Sequence, residues 1–404
     1  MNDLKLVPLK DLSEWDAYQT ATALAFGEIA DQARLDRTRG CFEPERAVQV
    51  EDGELIVATA GGRSFELTVP GGSHIPTGGL TAVSVRSTHT GRGLLNKMME
   101  WHFDDCRKRG EYISMLTASE SSIYHRYGYG IASHIETHRC ADGHAGLLPV
   151  ADEIARRGEI RLALLKDAMV DVQRIYDQWR AKTVGALSRS DAYWDSVVTD
   201  AYTNLEPGQV WQVAMHLDED GVLDGYVRFL LHPKWGSDRV HKGSVAVQEI
   251  IDLVPAARLA LWRYITNIPL HRDVVLDHGM PEEPIRLALR DPRRFVTTSS
   301  NDFLWLRILD VEQALNARAY RTSQPVTISV DGTTYAMTDG RWSESANPAD
   351  LACSVADLGA VYLGGVTWRT LANAARVTEI QPRGIERVDA VFQTDSSPFC
   401  HTHF

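Results

Sequence analysis

A short glycine turn between a predicted strand and a predicted helix is the stretch of this sequence best suited to bind an anion. Residues 80–85 (LTAVSV) have the apolar content of a buried strand, and residues 94–101 place apolar side chains at helical spacing. Gly91 and Gly93 lie in the turn between them. Backbone N–H groups at a helix N-terminus attract anions, and glycines let the main chain approach a phosphate closely. We therefore expect this turn to hold a pyrophosphate group.

Two well-known phosphate-binding loops do not match this turn. The loop GxxxxGK[ST] needs a Lys-Ser/Thr pair that also supplies a magnesium ligand, whereas Leu94 and Leu95 follow the second glycine here. Nor does the turn match the dinucleotide pattern, GxGxxG with an acidic residue about 20 positions further on. A glycine turn can also do no more than join a strand to a helix, so that alternative stays open.

A second chemical cluster follows the helix. Residues 112–118 (YISMLTA) form a predicted strand, and Tyr124, Tyr127 and Tyr129 follow within six residues. A phenol has a pKa of about 10, so it is protonated at neutral pH and can give a proton to a departing thiolate. The alternative is that these tyrosines are half-buried packing residues.

These two segments resemble the GNAT acetyltransferases. The turn is similar to their acetyl-CoA pyrophosphate loop, Arg/Gln-x-x-Gly-x-Gly/Ala, although Thr90 and Leu95 depart from it while Gly93 matches. Residues 118–130 resemble the more specific signature ASE…IYxRFGYG of the Eis (enhanced intracellular survival) family. The chain also ends in Phe404, as that family ends in phenylalanine. Proteins of the Eis family acetylate several amines of aminoglycosides with acetyl-CoA.

The resemblance implies a fold that combines α/β and α+β architecture in three successive domains. A GNAT acetyl-CoA-binding domain would span residues 1–144, a degenerate GNAT-like domain 145–290, and a sterol-carrier-protein-like α+β domain 291–404. The second copy is expected to hold no CoA, because the strand-to-helix stretch 247–258 contains no glycine. A shift in composition at 141–146 predicts a linker. The resemblance also implies a homohexamer, a trimer of dimers.

The resemblance further indicates which residues bind acetyl-CoA, the expected co-substrate. Main-chain groups of Val83, Ser84 and Val85 would lie along the pantetheine and acetyl parts. The other expected cofactor-binding residues are Gly91, Arg92, Gly93, Leu94, Leu95, Asn96, Ser119 and Glu120. The guanidinium of Arg92 would add charge-assisted contacts, or would point to solvent.

Two residues take catalytic roles by the same resemblance. Tyr124 aligns with the general acid that protonates the leaving sulfur of CoA. The α-carboxylate of Phe404 corresponds to the general base. A free α-carboxyl group has a pKa of about 3.3 to 3.7, so it is a weak base for an ammonium group unless burial raises that value. It could also act through a water molecule, or by holding the ammonium group electrostatically.

Four residues are candidates for the amine-binding side. Glu28 stands where the family has an acidic residue, and Phe26 and Trp194 would present aromatic faces to a cation. The alternatives are a solvated carboxylate and two core aromatics. His403 replaces a residue that is acidic in the family, which removes a negative charge and leaves the choice of amine open. A neutral histidine could itself accept a proton near pH 7.

Regular elements on either side would position these groups. In the first domain we expect strands at 3–9, 48–50, 54–60, 65–69 and 80–85, and helices at 12–30 and 94–109. In the second domain we expect helices at 167–180, 191–200 and 255–265. His102 and Cys106 are four residues apart on one helix, which is a possible metal-ligand spacing, but a packed helix face is the favoured explanation and we predict no metal site.

Composition excludes several classes of protein. A length of 404 residues suggests two or three domains, and the net charge of −12 argues against nucleic-acid binding while suiting a cationic substrate. Five cysteines without a CxxC pair fit a reducing compartment and no structural zinc. Neither an apolar signal-peptide core nor a run of about 18 apolar residues is present, so we expect a cytoplasmic protein without a membrane partner.

The sequence therefore predicts an acetyl-CoA-dependent N-acetyltransferase that acts on amines of an aminoglycoside or of another polyamine or lysine-type substrate. The alternative is a non-catalytic CoA-binding or lipid-carrier protein on the same fold. The presence of both Tyr124 and a terminal Phe404 favours the enzyme.

Overall fold

The computed structural model describes residues 4–141, 146–198, 205 and 208–404. Most of the predicted linker 141–146, residue 3 of the first predicted strand and residues 199–200 of the predicted helix 191–200 lie outside this description. The chain forms two compact units. One contains the described residues of Met1–Ser133, Val184–Tyr202 and Asp302–Phe404, and the other those of His134–Thr183 and Thr203–Asn301.

The strands of the described residues follow one another in this order: β1 (Lys5–Pro8), β2 (Ala47–Asp52), β3 (Leu55–Thr68), β4 (His74–Val85), β5 (Ile113–Thr117), β6 (Gly130–Ile131), β7 (His134–Cys140), β8 (Glu159–Leu164), β9 (Gln212–Leu217), β10 (Leu223–His232), β11 (Gly243–Asp252), β12 (His271–Gly279), β13 (Phe295–Asp302), β14 (Leu304–Ile308), β15 (Val326–Val330), β16 (Thr333–Thr338), β17 (Arg341–Glu344), β18 (Leu351–Cys353) and β19 (Thr378–Glu379).

The helices of the same residues are α1 (Trp15–Ala25), α2 (Gln32–Thr38), α3 (Leu94–Lys108), α4 (Ser121–Tyr124), α5 (Pro149–Ile154), α6 (Leu165–Arg180), α7 (Asp191–Tyr193), α8 (Pro255–Ile265), α9 (Ile285–Ala288), α10 (Val311–Ala317), α11 (Val355–Val361), α12 (Trp368–Asn373) and α13 (Gly384–Phe392). A π-helical turn, Trp194–Val198, continues α7. Within the described part of the chain, no helix is long and apolar enough to cross a membrane.

The sheet of the first unit has the order β1-β2-β3-β4-β5-β14-β6. The two strands predicted at 54–60 and 65–69 form the single long strand β3, because Gly61 pairs with Ala47 of β2 and Thr81 of β4, and Gly62 pairs with Leu80 of β4. A Cβ at Gly62 would lie 3.1 Å from Nε of the buried Arg46, so the missing side chain makes room for that guanidinium. Strand β14 comes from the region assigned to the third domain, yet it pairs with β5 and β6.

Helix α3 covers one face of this sheet. Leu94, Met98 and Met99 are buried and share a core with Leu80 of β4, as expected for apolar residues spaced three and four apart. The helix gives way to Gly110, whose φ of 74° is favourable for glycine at a helix C-terminus. Its first turn is thereby fixed at the edge of β4, where the predicted anion site lies.

The helix predicted at 12–30 is shorter in the structure. It consists of a 3₁₀ turn at Leu12–Glu14 and of α1, which ends at Ala25. Gly27 adopts a left-handed φ of 77°, so the chain leaves the helix there. Phe26 and Glu28 consequently lie in an exposed loop and not on a helix face.

The second unit repeats the strand–helix order of the first around a sheet with the order β13-β7-β12-β11-β10-β9-β8. Strands β11 and β12 are parallel, and α8 connects them. Only Leu253 and Val254 separate β11 from α8, which begins at Pro255. A proline at the first helical position lacks one of the N–H groups that an anion would use, which agrees with a degenerate copy.

The third domain is an α+β layer on a five-stranded sheet of order β17-β16-β15-β18-β19. Its helix α11 packs directly on the first sheet, because a Cβ at Gly130 would lie 1.9 Å from the carbonyl oxygen of Ala356 and one at Gly359 would lie 2.3 Å from that of Leu306. These glycines allow backbone-to-backbone contact between helix and strand. The C-terminal domain is therefore packed against the sheet that carries the candidate site.

Candidate active site

A cleft of about 630 Å³ lies between the C-terminal half of β4, the start of α3 and the segment around α4. Most of the predicted site residues of the first domain meet in its wall. The residues that line it are Ala25, Phe26, Val83, Ser84, Val85, His89, Thr90, Gly91, Gly93, Leu94, Leu95, Asn96, Ser119, Glu120, Ile123, Tyr124, Arg126 and Tyr127.

The cleft exists because β4 and β5 diverge. The two parallel strands pair at Gly78 and Gly79, whereas β4 continues as far as Val85 with β3 as its partner. The main chain at residues 83–85 thus lines a gap between strands. Backbone groups in such a gap are available to hydrogen bond with the amides of an extended ligand.

A β-bulge turns this part of β4. The register between β3 and β4 shifts between Thr59 and Gly61, and Ala82 takes a φ of 51°. A non-glycine residue in the left-handed region is strained, and such strain persists only where the surroundings enforce it. Here the Thr59 hydroxyl donates to the Ala82 carbonyl at 2.9 Å and lies 2.7 Å from the Ser84 hydroxyl. The hydroxyl of Thr59 therefore secures the bulge.

The glycine turn has the features that an anion site requires. Gly91 and Gly93 have φ values of 74° and 75°, which a residue with a Cβ rarely adopts. Gly93 is the N-cap of α3 and provides no side-chain hydrogen bond to it. The first-turn N–H groups at Leu94, Leu95 and Asn96 border the cleft, together with the positive end of the helix dipole. The turn thus fits a pyrophosphate group.

The cationic side chain in the cleft wall differs from the one that the sequence suggested. The exposed guanidinium of Arg92 donates to the Thr88 carbonyl oxygen of its own loop at 3.1 Å. Arg126 lines the cleft, with its guanidinium carbon 5.2 Å from the ring centroid of Tyr127. His89 also lines it and lies 3.1 Å from a carboxylate oxygen of Asp52. Arg126 is thus a second arginine, besides Arg92, that could bind phosphate in this cleft.

Tyr124 lies at the C-terminal end of α4 with 8% of its surface exposed. Its ring meets that of Tyr129 edge to face at 6.1 Å, and among the described residues none hydrogen bonds to its hydroxyl. Burial, with smaller effects of Tyr127 and Glu120, raises the pKa of the Tyr124 phenol to about 12. The group therefore stays protonated at neutral pH and can serve as a hydrogen-bond donor within the cleft.

The other two tyrosines of this segment have different environments. The Tyr127 hydroxyl donates to Oδ1 of Asn96 at 2.5 Å, across the cleft wall. Tyr129 is fully buried, with its hydroxyl 2.6 Å from that of Ser114. Tyr129 is thus a core residue, and Tyr127 links the first turn of α3 to the segment that carries Tyr124.

The C-terminus is a packed part of the first unit. Cys400 and Thr402 are completely buried. The ring of Phe404 lies 4.9 Å from that of Phe65 on β3, and its Cε2 atom would be 2.9 Å from a Cβ at Gly79 on β4. Chain ends are usually frayed, so this packing places the terminal residue on the strand that leads into the cleft.

The four predicted amine-binding residues lie in different parts of the structure. Phe26 lines the cleft, whereas Glu28 is exposed on the loop after it. Trp194 is buried, with the guanidinium carbon of Arg189 at 4.7 Å from its ring centroid. The ring of His403 lies edge to face with that of Phe303 at 4.7 Å. These four roles remain predictions.

His102 and Cys106 are both buried on α3, with Nε2 and Sγ 3.6 Å apart. Nε2 of His102 also lies 2.8 Å from the Ser114 hydroxyl. Burial lowers the pKa of His102 to about 3, so the ring is neutral. Among the residues described, no group of three or more histidine, cysteine and acidic side chains is arranged to hold a metal.

Several residues of the cleft wall were not predicted as cofactor-binding, catalytic or amine-binding residues. These are Ala25, His89, Thr90, Ile123, Arg126 and Tyr127, although Thr90 and Tyr127 belong to the motifs named above. Arg126 and Tyr127 belong to the segment that resembles the family signature, so their proximity to Tyr124 was a usable signal. His89 has no such signal, because its place in the wall depends on a 3₁₀ turn at Ser87–His89.

Three family models match the chain in succession. A model described as an acetyltransferase (GNAT) domain matches residues 8–132, and a second model with the same description matches residues 185–308. A sterol carrier protein domain model matches residues 311–401. The architecture of two GNAT domains followed by a sterol-carrier-protein-like domain, predicted from the sequence, is confirmed.

Known proteins are similar to this chain over nearly its whole length. An uncharacterized N-acetyltransferase of Streptomyces avermitilis is 32% identical over 403 residues, which covers 96% of each chain. The N-acetyltransferase Eis of Mycobacterium tuberculosis is 29% identical over 400 residues, which covers 95% of each chain. The crystal structure of Eis1 from Mycobacterium abscessus superposes with a TM-score of 0.84 at 27% identity and covers all of both chains.

Proposed function

Since this chain belongs to the Eis family of GNAT N-acetyltransferases, we propose that it transfers acetyl groups from acetyl-CoA to several amines of a cationic substrate. Aminoglycosides and other polyamine or lysine-type molecules form the proposed substrate class. The observation that carries this proposal is that the glycine turn at the N-terminus of α3 and the buried Tyr124 line one cleft. The same site could therefore anchor a diphosphate and protonate a leaving group.

Binding of the co-substrate rests on main-chain groups. The N–H groups of residues 91–95 would hold the pyrophosphate, and those of residues 83–85 would pair with the pantetheine arm in the gap beside β4. Bound acetyl-CoA supplies the thioester whose carbonyl carbon accepts the amine. Asn96, Ser119 and Glu120 border the same cleft and complete the proposed contacts.

Tyr124 is proposed as the general acid. Its phenol remains protonated because burial raises its pKa to about 12. A protonated hydroxyl can donate a hydrogen bond to the departing CoA sulfur and then the proton. The low exposure of the side chain limits competition from water for that hydrogen bond.

The α-carboxylate of Phe404 is proposed as the group that accepts the ammonium proton, directly or through a water molecule. The packing of Phe404 against Phe65 and Gly79 supports a fixed position for this group. A carboxylate held near the amine also attracts the cationic form of the substrate. The histidine at 403 changes the charge beside this carboxylate, which bears on the choice of amine.

The direct test is an assay of purified protein with acetyl-CoA and either kanamycin or tobramycin. Release of free thiol that depends on the amine, together with products carrying one or more acetyl groups by mass spectrometry, is the expected result. A reaction without amine measures background hydrolysis of the thioester. If none of the aminoglycosides, polyamines or lysine peptides tested gives release above that background, the proposal is wrong.

The lipid-carrier alternative is less well supported by the third domain. Its interior contains the side chains of Trp342, Trp368, Tyr362 and Phe392, all nearly fully buried. Trp342 and Trp368 each pack edge to face on Phe392, with ring centroids 6.0 and 5.3 Å apart. Aromatic side chains therefore occupy volume that a bound acyl chain would need. Organic extraction of the purified protein followed by mass spectrometry would detect a bound lipid.

The resemblance to the family also underlies our proposals for the oligomeric state of the protein and for its location in the cell. We propose a homohexamer, which size-exclusion chromatography with light scattering would test. All five cysteines are buried and unpaired with one another in the structure, which suits a reducing compartment such as the cytoplasm.

The two arginines near the glycine turn give a testable difference in cofactor binding. We expect Arg126→Gln to raise KM for acetyl-CoA about tenfold, because a charge-assisted hydrogen bond to phosphate contributes about 1.5–3 kcal/mol. Arg92→Gln is the matched control, and we expect it to change KM less than about threefold, since its guanidinium already bonds to Thr88. Initial rates over a range of acetyl-CoA concentrations measure both. A larger effect at Arg92 would reverse this assignment.

A further inference from the structure

Residues 184–194, which we call the strap, connect β3 to the end of the chain within the first unit. The strap pairs with β3: the N–H of Gly185 donates to the Thr68 carbonyl at 2.8 Å, and the N–H of Thr68 donates to the Ala186 carbonyl at 2.9 Å. Leu187 forms an antiparallel bridge with Leu67. The strap is therefore an added strand-like segment on the edge of β3, and its later residues contact Thr402 and His403.

The C-terminal tail rests on the other side of the strap. The N–H of Phe399 donates to the Val184 carbonyl at 2.8 Å. A Cβ at Gly185 would lie 3.1 Å from the backbone nitrogen of Phe399, so the tail crosses the strap at a glycine with almost no clearance. Gly185 also has a φ of 91°, which only glycine adopts easily. The crossing at Gly185 therefore fixes where the last residues of the tail begin.

Beyond the crossing, Arg189 holds the third residue from the end. Its Nε donates to the Thr402 hydroxyl at 3.0 Å, and both residues are buried. The guanidinium lies over two rings, with its central carbon 4.7 Å from the centroid of Trp194 and 5.6 Å from that of Tyr193. Contacts of this kind restrict the rotation of an arginine side chain. Arg189 is thereby a rigid donor toward the tail.

Tyr193 holds the next residue along. Its hydroxyl donates to the carbonyl oxygen of His403 at 2.9 Å, and only 4% of the side chain is exposed. The backbone of Tyr193 is fixed in turn by Ser190, whose hydroxyl accepts its N–H at 3.2 Å as the N-cap of α7. Two consecutive residues before Phe404 are thus anchored from one short segment.

We propose that Arg189 and Tyr193 are positioning residues that fix the direction of the Phe404 carboxylate. This inference rests on the proposed function, in which that carboxylate handles the ammonium proton. With Thr402 and His403 held, the last residue retains few torsions, and its ring is further restrained by Phe65. Orientation of a catalytic group matters strongly, since a displacement of about 1 Å can cost about 10²-fold in rate.

The test compares three variants. Tyr193→Phe removes one hydroxyl and keeps the ring on which Arg189 stacks, and Arg189→Met keeps an unbranched stem without the guanidinium. Tyr362→Phe is the matched control, because it removes another buried hydroxyl that donates to a backbone carbonyl, that of Ala314, at 2.7 Å. We expect the two strap variants to lower kcat about 5- to 20-fold with KM for acetyl-CoA unchanged, and the control to lower thermal stability alone.

A second readout needs no catalysis. Carboxypeptidase A releases Phe404 only when the end detaches, so intact-mass spectrometry follows the population of detached ends. We expect release from both strap variants to be about fivefold faster than from the wild type and from Tyr362→Phe. Equal rates in all four proteins would overturn the positioning role, whether or not the protein proves to be an acetyltransferase.

Rate measurements on a chain extended by one alanine after Phe404 separate the remaining possibilities. If the extension abolishes transfer while both strap variants keep the wild-type kcat, the positioning inference is wrong and the proposed base stands. If the extended chain is fully active, the carboxylate has no catalytic role, and the inference falls with it. A loss of rate in the extended chain and in both strap variants supports the inference.

Discussion

Tyr124→Phe should lower kcat for acetyl transfer about 10²- to 10³-fold, with KM for acetyl-CoA within about twofold of the wild type. The substitution keeps the ring, and hence the edge-to-face contact with Tyr129, while it removes the proposed proton donor. The cofactor would remain anchored by the glycine turn. Steady-state kinetics with acetyl-CoA and an aminoglycoside measure both constants.

Tyr129→Phe is the control for this experiment, because it removes a hydroxyl from the same segment. That hydroxyl lies against Ser114 in the core, so its loss should lower the melting temperature but leave kcat within about threefold. If Tyr124→Phe retains the wild-type kcat, Tyr124 is not the acid. If the two variants are equally impaired, the effect on rate arises from packing and not from proton donation.

The pH dependence of the rate provides a second check on Tyr124. Because burial raises the pKa of this phenol to about 12, the protonated form persists as pH rises past the ordinary value of about 10 and is lost only nearer 12. The wild-type rate should therefore show no decline attributable to Tyr124 up to about pH 10. A falling limb below that pH that disappears in Tyr124→Phe would contradict this expectation.

The parts of this molecule that depend on local sequence were predictable. The pattern of Leu94, Met98 and Met99 indicated helix α3, and the glycines before it indicated a turn at which backbone N–H groups are accessible. Both features depend on residues within one or two helical turns of each other. The same holds for α8, whose predicted and observed boundaries coincide.

The features that could not be predicted depend on contacts distant in sequence. Nothing near Gly61 and Gly62 shows that two apolar runs join into one strand, because the strand is continued by their pairing with Thr81 and Leu80 of β4. The pairing of β14 with β5 likewise depends on a free edge of the first sheet, which is formed by residues distant in sequence from β14. The direction of the Arg92 side chain is set by the Thr88 carbonyl, which spacing alone does not reveal.

The C-terminus is the clearest example of this limit. A chain end is usually frayed, whereas residues 399–402 are buried here. Their burial results from a strap more than 200 positions earlier in the chain, through the contacts of Arg189 with Thr402 and of Tyr193 with His403. The resemblance to a family pointed to Phe404, and the structure supplies a physical reason why that residue has a defined place.

Extension of the chain by one alanine should lower kcat about 10²-fold or more, with KM for acetyl-CoA unchanged. The added residue leaves the ring of Phe404 against Phe65 but converts its carboxylate into an amide and moves the negative charge by about 3.8 Å. An amide oxygen is a far weaker base than a carboxylate. The turn at residues 91–95, which is proposed to bind the cofactor, is unaltered, so acetyl-CoA affinity provides an internal control.

Phe404→Leu is the matched variant, since it retains the carboxylate and shortens only the side chain. Loss of the aromatic contact with Phe65 should lower kcat about threefold to tenfold, which is less than the effect of the added alanine. If the added alanine lowers kcat more than Phe404→Leu does, the terminal carboxylate matters more to the rate than the packing of the ring. If Phe404→Leu were the more damaging change, the terminal residue would contribute mainly its ring, and the ammonium proton would have to leave by another route.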